Sequence, residues 1–332
     1  AARAARPVPT ARERGEAIRA RKSDRLAAQV RSLGRPARRA AQVSYAVGDE
    51  RTFVFDEFAP VPRQLLPTRV VAVSERAVAF VHVGSAADGG DLSVDDIRAH
   101  LAGFDADYGG IVAAFGAPSD VDGDGRIAFL YTPLVDDVGL GGFQDPASVL
   151  EETVGGSGNR TDLLFLSPTQ PAPSYRSLLV HEFQHLINFH QHVLVRGGES
   201  EATWLDEGLS HLAEDLVDGF VSGGNSDNVH DFLADPGAVG LTAQDHVSAA
   251  ERGVAYLFVR SLVDRFGPAI LLRLVQTGLS DRDTVEEAAG VPFRELLAGY
   301  AVQLYASGTG LAGHSRFDFS FAGLGGPDTR GF

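Results

Sequence analysis

The pentapeptide His181-Glu182-Phe183-Gln184-His185, written HEFQH, sets the interpretation of the whole chain. Residues four positions apart share one face of a helix, so His181 and His185 are expected to bind one metal ion together. Glu182 stands one step further around the helix, where its carboxylate meets a water molecule on that ion. The stretch therefore predicts a zinc-binding helix that carries its own general base.

The sequence around the pentapeptide favours a helix of ordinary length. Residues 174–195 contain neither Gly nor Pro, Ser174 can serve as the N-cap, and Gly197 and Gly198 follow as a stop signal. An apolar face buried in the core is predicted from four positions, Leu179, Phe183, Leu186 and Ile187. The plain alternative is a core helix whose histidines are only hydrogen-bonded.

A third ligand is predicted from the stretch ATWLDEGLSHLAEDL at residues 202–216, which has helical periodicity. Glu207 in this stretch lies 22 positions after His185. A carboxylate from a second helix completes a His, His, Glu site that keeps its fourth position for water. Zinc is therefore the expected cofactor.

The two stretches together resemble the hyicolysin-type zinc metallopeptidases, in the gluzincin group that includes thermolysin and the WLNEG-bearing aminopeptidases. The likeness is carried by HEFQHLINF and WLDEGLSHLAED and extends from about Val47, through DVDGDGRIAFLYTP, to AYLFVRSLVDRFG. The resemblance implies an α+β zincin-type fold with an N-terminal sheet and helix half, a C-terminal helical half, and an active-site cleft between them. It also implies that His181, His185 and Glu207 bind zinc and that Glu182 is the catalytic base.

Two positions depart from the pattern of these families. Thermolysin-like enzymes carry a carboxylate four residues after the third ligand, which orients the first histidine. This chain has His211 there, so Glu214, Asp215 or a loop acid has to serve. Relatives often have a tyrosine just before the glycine of the GxAYLF-like helix, where this chain has Arg252. The donor for a tetrahedral oxyanion is left open among Tyr256, Arg252, His211 and His246.

A second metal site is considered at residues 120–131, DVDGDGRIAFLY, where Asp120, Asp122 and Asp124 are spaced as in the first part of an EF-hand loop. The twelfth position is Tyr131 instead of the bidentate Glu, which excludes a complete EF-hand. Two interpretations remain. One is a calcium site in which the three aspartates are joined by a ligand from elsewhere, and the other is an Asp-Gly turn that leads into the strand 127–131.

Composition and charge set the class of protein. The chain has 332 residues, 44% of them apolar and 22% charged, which predicts a soluble globular protein. No apolar run approaches the roughly 18 residues that a membrane span requires. The absence of Cys excludes disulfides and thiol catalysis and agrees with a secreted or periplasmic protein, while the chain itself begins without a signal-type segment.

The distribution of charge and pattern predicts four segments. Residues 1–41 hold 12 basic and 3 acidic residues, whereas the remainder holds 17 basic and 41 acidic residues, which disfavours nucleic acid as a partner. The segment 1–41 is expected to be a solvated basic arm, with the remnant of a pro-segment as the alternative. An α+β subdomain at 42–170, a helical subdomain at 171–306 and a Gly-rich tail at 307–332 follow.

Individual elements are predicted from periodicity and turn signals. Strands are expected at 51–58, 68–74, 76–84, 127–131 and 161–168, and helices are expected to begin at Ser93 and to span 249–265, 268–276, 281–289 and 293–306. Residues 135–160 are expected to form loops. The strand 161–168 comes directly before the HEFQH helix, which is the usual layout in zincins, where an edge strand can pair with an extended substrate.

These features predict peptide-bond hydrolysis by a zinc endopeptidase that acts on protein or peptide substrates. A zinc aminopeptidase is the alternative among enzymes because of WLDEG, although the chain has no GxMEN-like motif to anchor a substrate. The alternative outside enzymes is a binding or adhesion module that keeps the fold and has lost turnover. The sequence carries no signal for an oligomeric state.

Overall fold

A six-stranded mixed sheet forms the N-terminal half of the protein. The computed structural model describes residues 11–33, 43–56, 58, 60–85, 92–170, 175–222, 224–242, 248–307 and 319. Its strands are β1 (Glu50–Phe55), β2 (Gln64–Val73), β3 (Ala77–His82), β4 (Ile127–Tyr131), β5 (Gly142–Gln144) and β6 (Leu163–Leu166). They lie in the order β1-β2-β3-β4-β6-β5, in which β3, β4 and β6 are parallel and the other neighbours are antiparallel.

The central strands are buried on both faces of the sheet. In β4, Phe129 and Tyr131 belong to a large apolar cluster shared with the helices, whereas Ala128 and Leu130 belong to a second cluster on the opposite face. Successive side chains of a strand point to opposite faces, so a strand covered on both sides has to be apolar throughout. This explains the unbroken apolar run at 127–131.

Helices make up most of the remaining chain. The helices are α1 (Ala11–Leu33), α2 (Val94–Phe115), α3 (Leu134–Asp137), α4 (Tyr175–Phe189), α5 (Thr203–Val217), α6 (Gly219–Ser222), α7 (Asn225–Ala234), α8 (Ala249–Phe266), α9 (Ala269–Val275), α10 (Arg282–Ala289) and α11 (Phe293–Ala306). α2 begins at Ser93, whose side chain forms the expected capping box with Asp96. The four predicted C-terminal helices occur within one residue of their expected ends as α8 to α11.

The helix that carries HEFQH, α4, lies at the centre of the fold. It continues past Phe189 as a π-helical segment, His190–Val195. Phe183 of α4 packs edge-on against Phe104 of α2, which packs in turn against Phe129 of β4. The same apolar cluster includes residues of α5 and α8, so one core joins the sheet half and the helical half. The predicted α+β architecture with these two halves is confirmed.

The expectation that residues 135–160 form only loops is wrong. β6, the strand before α4, lies inside the sheet between β4 and β5 and not at its edge. The edge strand is β5, which belongs to the stretch 135–160 that was expected to be loop, as do two short 3-10 turns at Pro146–Val149 and Glu152–Val154. Three residues that begin with Gly142 are too few to give an alternating pattern, so the strand is stabilised by its partner β6 and not by its own sequence.

The expectation of a solvated N-terminal arm is wrong for residues 11–33. In α1, Leu26, Ala27 and Val30 expose at most 2% of their surface and pack against the turn Pro146–Val149 and the π-helical segment. Ile18 packs against the second apolar cluster, on the face of the sheet away from α2. The spacing of these apolar residues therefore marks a helix face that is buried on the body.

The ends of the chain are described in part. Phe319 is buried in the large cluster, and its backbone amide donates to Ser307 Oγ at 3.1 Å. Residues 1–10, 34–42 and the rest of the predicted tail lie outside the described residues, as do the expected N-cap Ser174 and the oxyanion candidate His246. In the part of the chain that the structure describes, no helix is both long and apolar enough to cross a membrane.

Candidate metal centre

Helices α4 and α5 bring His181, His185 and Glu207 together. The Nε2 atoms of the two histidines lie 3.1 Å apart. Glu207 Oε2 lies 3.6 Å from His181 Nε2, and Glu207 Oε1 lies 3.5 Å from His185 Nε2. All three side chains are buried, with 2–7% of their surface exposed. The three predicted ligands therefore form a compact triangle of nitrogen and oxygen atoms.

The size of this triangle fits zinc. Zinc in proteins takes N and O ligands at about 2.0–2.2 Å in a tetrahedron, whose edges are then about 3.4 Å long. The Nε2–Nε2 separation of 3.1 Å is close to this length, as are the distances of 3.5 Å from His185 Nε2 to Glu207 Oε1 and 3.6 Å from His181 Nε2 to Glu207 Oε2. Two imidazoles and one carboxylate are also a donor set that zinc prefers in sites with an open fourth position.

Carboxylates hold the outer nitrogen of each histidine. Glu214 Oε1 lies 2.7 Å from His181 Nδ1, and Asp206 Oδ2 lies 2.9 Å from His185 Nδ1. Ser210 Oγ is also 3.0 Å from His185 Nδ1. An acceptor at Nδ1 keeps the proton there and leaves the Nε2 lone pair free for a cation. Of the acids that the sequence left open for this task at His181, the structure brings Glu214 to it, while Asp206 was not foreseen.

The charges of the triangle depend on one another. Burial opposes a charged imidazole, but the carboxylates of Glu207 and Glu214 overcome it and raise the pKa of His181 to about 10. Burial likewise opposes a charged Glu207, yet the positive charges of His185 and Arg19 and a hydrogen bond with His181 hold the pKa of Glu207 well below its usual value. A cation that binds here therefore takes the place of a proton on His181.

Close packing of α5 against α8 fixes the position of Glu207. A Cβ atom at the next residue, Gly208, would lie 2.9 Å from both the carbonyl oxygen of Ala255 and Cγ2 of Val259. Real side chains do not approach this closely, so the position has to be glycine for the two helices to meet at this distance. Gly208 thus allows the close contact between α5 and α8 that holds the Glu207 carboxylate in its position.

Glu182, the predicted general base, faces the sheet edge. Its Oε2 accepts a hydrogen bond of 2.8 Å from the backbone amide of Gln144, the last residue of β5. The side chain is 6% exposed. The hydrogen bond therefore fixes the position of the Glu182 carboxylate relative to the edge strand β5.

The candidates for the oxyanion donor have different surroundings. The His211 ring packs edge-on against the His181 ring with centroids 4.8 Å apart, and burial lowers its pKa, which favours a neutral imidazole. Arg252 is buried, and its charge acts on His211. The hydroxyl of Tyr256 donates to Asp215 Oδ2 in the core, so that hydroxyl is already engaged.

Two basic residues of α1 reach the site, which the sequence did not predict. Arg19 Nη2 donates to Glu207 Oε1 at 2.6 Å, and Nη1 donates to Asp206 Oδ2 at 3.2 Å. Lys22 Nζ lies 2.7 Å from Asp145 Oδ2 and 2.8 Å from Asp56 Oδ2. Asp145 directly follows β5. The basic character of the arm and the acidic character of the body were the available signals, but neither identified these partners.

The three aspartates of the loop 120–127 also cluster. One carboxylate oxygen of each lies within 4.8 Å of the others. Backbone amides satisfy part of the cluster, because Gly125 N donates to Asp120 Oδ1 and Arg126 N to Asp124 Oδ1. A fourth carboxylate, Asp162, lies behind the loop and accepts from Val121 N at 2.9 Å. The loop is thus both an Asp-Gly turn and an acidic cluster, and calcium binding stays a prediction.

Comparisons with known proteins find only distant likenesses, all of them to solved structures. No protein-family model matches the sequence, and no curated protein matches it significantly. The chain is similar in structure to a mutant M1 zinc metallopeptidase from Deinococcus radiodurans, with a TM-score of 0.42 and 14% sequence identity. The alignment covers 76% of this chain, which spans 59% of that protein's length. At this identity and TM-score the likeness decides neither the family nor the activity of this chain.

Proposed function

We propose that this protein is a zinc-dependent peptidase. The observation that carries the proposal is the triangle of His181 Nε2, His185 Nε2 and Glu207, with separations of 3.1, 3.5 and 3.6 Å and with acceptors at both Nδ1 atoms. Two imidazoles and one carboxylate that converge at these separations in a buried site form a donor set that zinc prefers. The arrangement therefore suits a divalent cation.

Each residue has a distinct part in the reaction. His181, His185 and Glu207 would hold zinc, which when bound supplies a Lewis acid and lowers the pKa of water toward about 7. Glu182 accepts the proton of the attacking water and transfers it to the leaving amine. A hydrogen bond from the amide of Gln144 holds the Glu182 side chain in place. The donor for the oxyanion stays open, with His211, whose ring lies edge-on against the His181 ring, as one candidate.

An endopeptidase is the preferred form of this activity. β5 is an edge strand, and an extended peptide can pair with the backbone groups of such an edge. The amide of Gln144 is already bonded to Glu182, so the pairing would use the other backbone groups of β5. An aminopeptidase is the second candidate, and the observation that favours it is the pair Asp56 and Asp145 beside β5, which now receives an amine from Lys22. Carboxylates placed in this way also suit the free amino terminus of a peptide.

The test compares the wild-type chain with Glu182→Ala. Zinc content, folding and the hydrolysis of casein and of aminoacyl anilides are measured for both proteins, with and without a chelator. Glu182→Ala should keep one zinc per chain because the three ligands remain, and it should lose about 10²- to 10⁴-fold in rate. Zinc binding without hydrolysis above the Glu182→Ala background would refute the peptidase and favour the binding module. Cleavage of anilides but not of casein would favour the aminopeptidase.

A further inference from the structure

The residues of the proposed active site are covered. His181, Glu182, His185 and Glu207 expose only 2–7% of their surface. The space next to His185, between α1 and α5, has a volume of about 20 Å³, which accommodates about one water molecule. A peptide substrate cannot reach these side chains while the surrounding elements stay in place.

α1 covers the part of the site around Glu207 and His185. Arg19 extends from α1 to the carboxylate of Glu207, the proposed third ligand, and to Asp206, which holds His185. One turn further along the helix, Lys22 is bound between Asp56 and Asp145 at the end of the edge strand. Both basic side chains are only 6–7% exposed. α1 therefore binds the proposed metal ligand Glu207 through Arg19 and, at the same time, Asp145 at the end of β5 through Lys22.

Further contacts extend along the helix. Asp24 Oδ1 accepts from Ser200 Oγ, just before α5, and Arg31 donates to the carbonyl of Gly198 at 2.8 Å. The buried side chains Leu26, Ala27 and Val30 add an apolar contact with the elements that flank α4. The docking of α1 therefore combines charge pairing at the metal centre with apolar packing away from it, and the two can be changed separately.

The contact with Arg19 also opposes a cation. A guanidinium on Oε1 of Glu207 withdraws charge from the carboxylate that would bind zinc, and two positive charges close together in a buried site repel each other. Charge complementarity supports α1 as the natural occupant, since its basic residues meet three aspartates and one glutamate in an otherwise acidic body.

We propose that α1 is an intramolecular inhibitor, which blocks the proposed peptidase site through Arg19 at Glu207 and Lys22 beside β5 and has to leave before a substrate binds. The term inhibitor rests on the proposed peptidase function. Restricted access to the site, however, is a matter of ligand binding. It can be measured without turnover.

The experiment uses a fluorescent peptide hydroxamate, which binds zinc in an accessible cleft and is not cleaved. Its affinity is measured by anisotropy for four zinc-loaded full chains, the wild type, Arg19→Ala/Lys22→Ala, Val30→Asp, and Arg21→Ala/Arg25→Ala. The last is the matched control, because Arg21 and Arg25 are exposed residues of the same helix. Zinc content and thermal melting establish that each chain is folded and loaded.

We expect the first two variants to bind the hydroxamate about tenfold or more tightly than the wild type, because apparent affinity rises with the fraction of open molecules. The control should match the wild type, and a synthetic peptide of residues 11–33 should compete with the hydroxamate on Arg19→Ala/Lys22→Ala. Val30→Asp leaves Arg19 and Lys22 in the chain, so it supports the result if the double variant does not fold.

Equal affinity in all zinc-loaded chains would overturn the inhibitor. Failure of every zinc-loaded chain to bind the hydroxamate would also overturn it, since an opened cleft has to admit the ligand. Casein is offered to the same proteins. If the affinities differ as expected but no chain cleaves casein or anilides, the peptidase fails and α1 remains the occupant of the site.

Discussion

Glu214 Oε1 lies 2.7 Å from Nδ1 of His181, although Glu214 stands seven residues after Glu207 on the same helix. Seven residues are about two helical turns, so both carboxylates of α5 face α4 from one side. The position one turn after Glu207 is His211, which packs against the His181 ring instead of holding its nitrogen. The orienting carboxylate is therefore displaced by one turn from its place in thermolysin-like enzymes.

Glu214→Gln is expected to weaken zinc binding without removing a ligand. A neutral amide holds the Nδ1 proton less firmly and makes His181 a poorer donor, and the loss of such a partner typically costs about 10- to 100-fold in metal affinity. Zinc affinity is measured by competition with a chromophoric chelator. Glu199→Gln, an exposed change just before α5, is the control, and equal affinities for the two variants would contradict the role of Glu214.

Gly208→Ala is expected to destabilise the protein and to weaken zinc binding. The new methyl group would meet Ala255 and Val259 at 2.9 Å, so α5 has to move away from α8 and carry Glu207 with it. Overpacking of this kind costs about 1–3 kcal/mol. Gly103→Ala is the control, because Gly103 lies in α2 with no atom near its Cβ position. Urea unfolding should separate the two variants, and an unchanged midpoint for Gly208→Ala would contradict the packing argument.

Removal of metal is expected to lower the melting temperature of the wild type. Zinc held by His181, His185 and Glu207 would link α4 to α5, and a ligand that binds only the native state at 100 times its Kd adds about 2.7 kcal/mol. His185→Ala should melt at the same temperature with and without a chelator, because one of its three ligands is gone. A wild-type melting temperature that does not respond to a chelator or to added zinc would argue against the site.

The acidic loop should make stability depend on pH. Burial and the neighbouring Asp122 raise the pKa of Asp124 to about 7, and burial likewise raises the pKa of Asp162 to about 7. The native chain therefore retains protons that the unfolded chain loses near pH 4, so the free energy of unfolding should fall as pH rises from about 4 to about 7. Melting from pH 5 to 8 measures the slope, which Asp124→Asn should reduce.

Calcium should oppose this loss if the loop binds it. A divalent cation among Asp120, Asp122 and Asp124 favours their charged forms, so calcium should raise the melting temperature more at pH 8 than at pH 5. The chain Asp122→Asn/Asp124→Asn is compared as the control that lacks two of the carboxylates. A melting temperature that is the same with and without calcium at pH 8 would leave the loop as an Asp-Gly turn.

Local sequence patterns were sufficient to predict those site residues whose positions depend on a single helix. The spacing of His181 and His185 and the apolar faces of α4 and α5 follow from helical periodicity, so their juxtaposition with Glu207 could be expected from the sequence. The choice of Glu214 over Asp215 could not, because adjacent residues differ by 100° around a helix and only packing decides which one faces α4. In the structure Asp215 accepts from Tyr256 and Asn225 instead.

Contacts between distant segments were beyond the sequence. Asp206 is adjacent to a proposed ligand, but its role at His185 depends on how α5 is rotated against α4. The edge strand β5 has three residues and depends on β6 for its hydrogen bonds, so no period reveals it. The basic charge of α1 indicates that an acidic partner is favourable. Which acidic residues bind Arg19 and Lys22 depends on how the sheet half and the helical half are arranged in the folded protein.

The distance along the chain between Arg19 and Glu207 determines when the site is covered during synthesis. The two residues are 188 positions apart, so α1 leaves the ribosome long before its acidic partners exist. Helices in proteins owe most of their stability to tertiary packing, and the buried apolar partners of Leu26, Ala27 and Val30 all lie after position 146. The contact of Arg19 with Glu207 can therefore form only after α4 and α5 have both been synthesised.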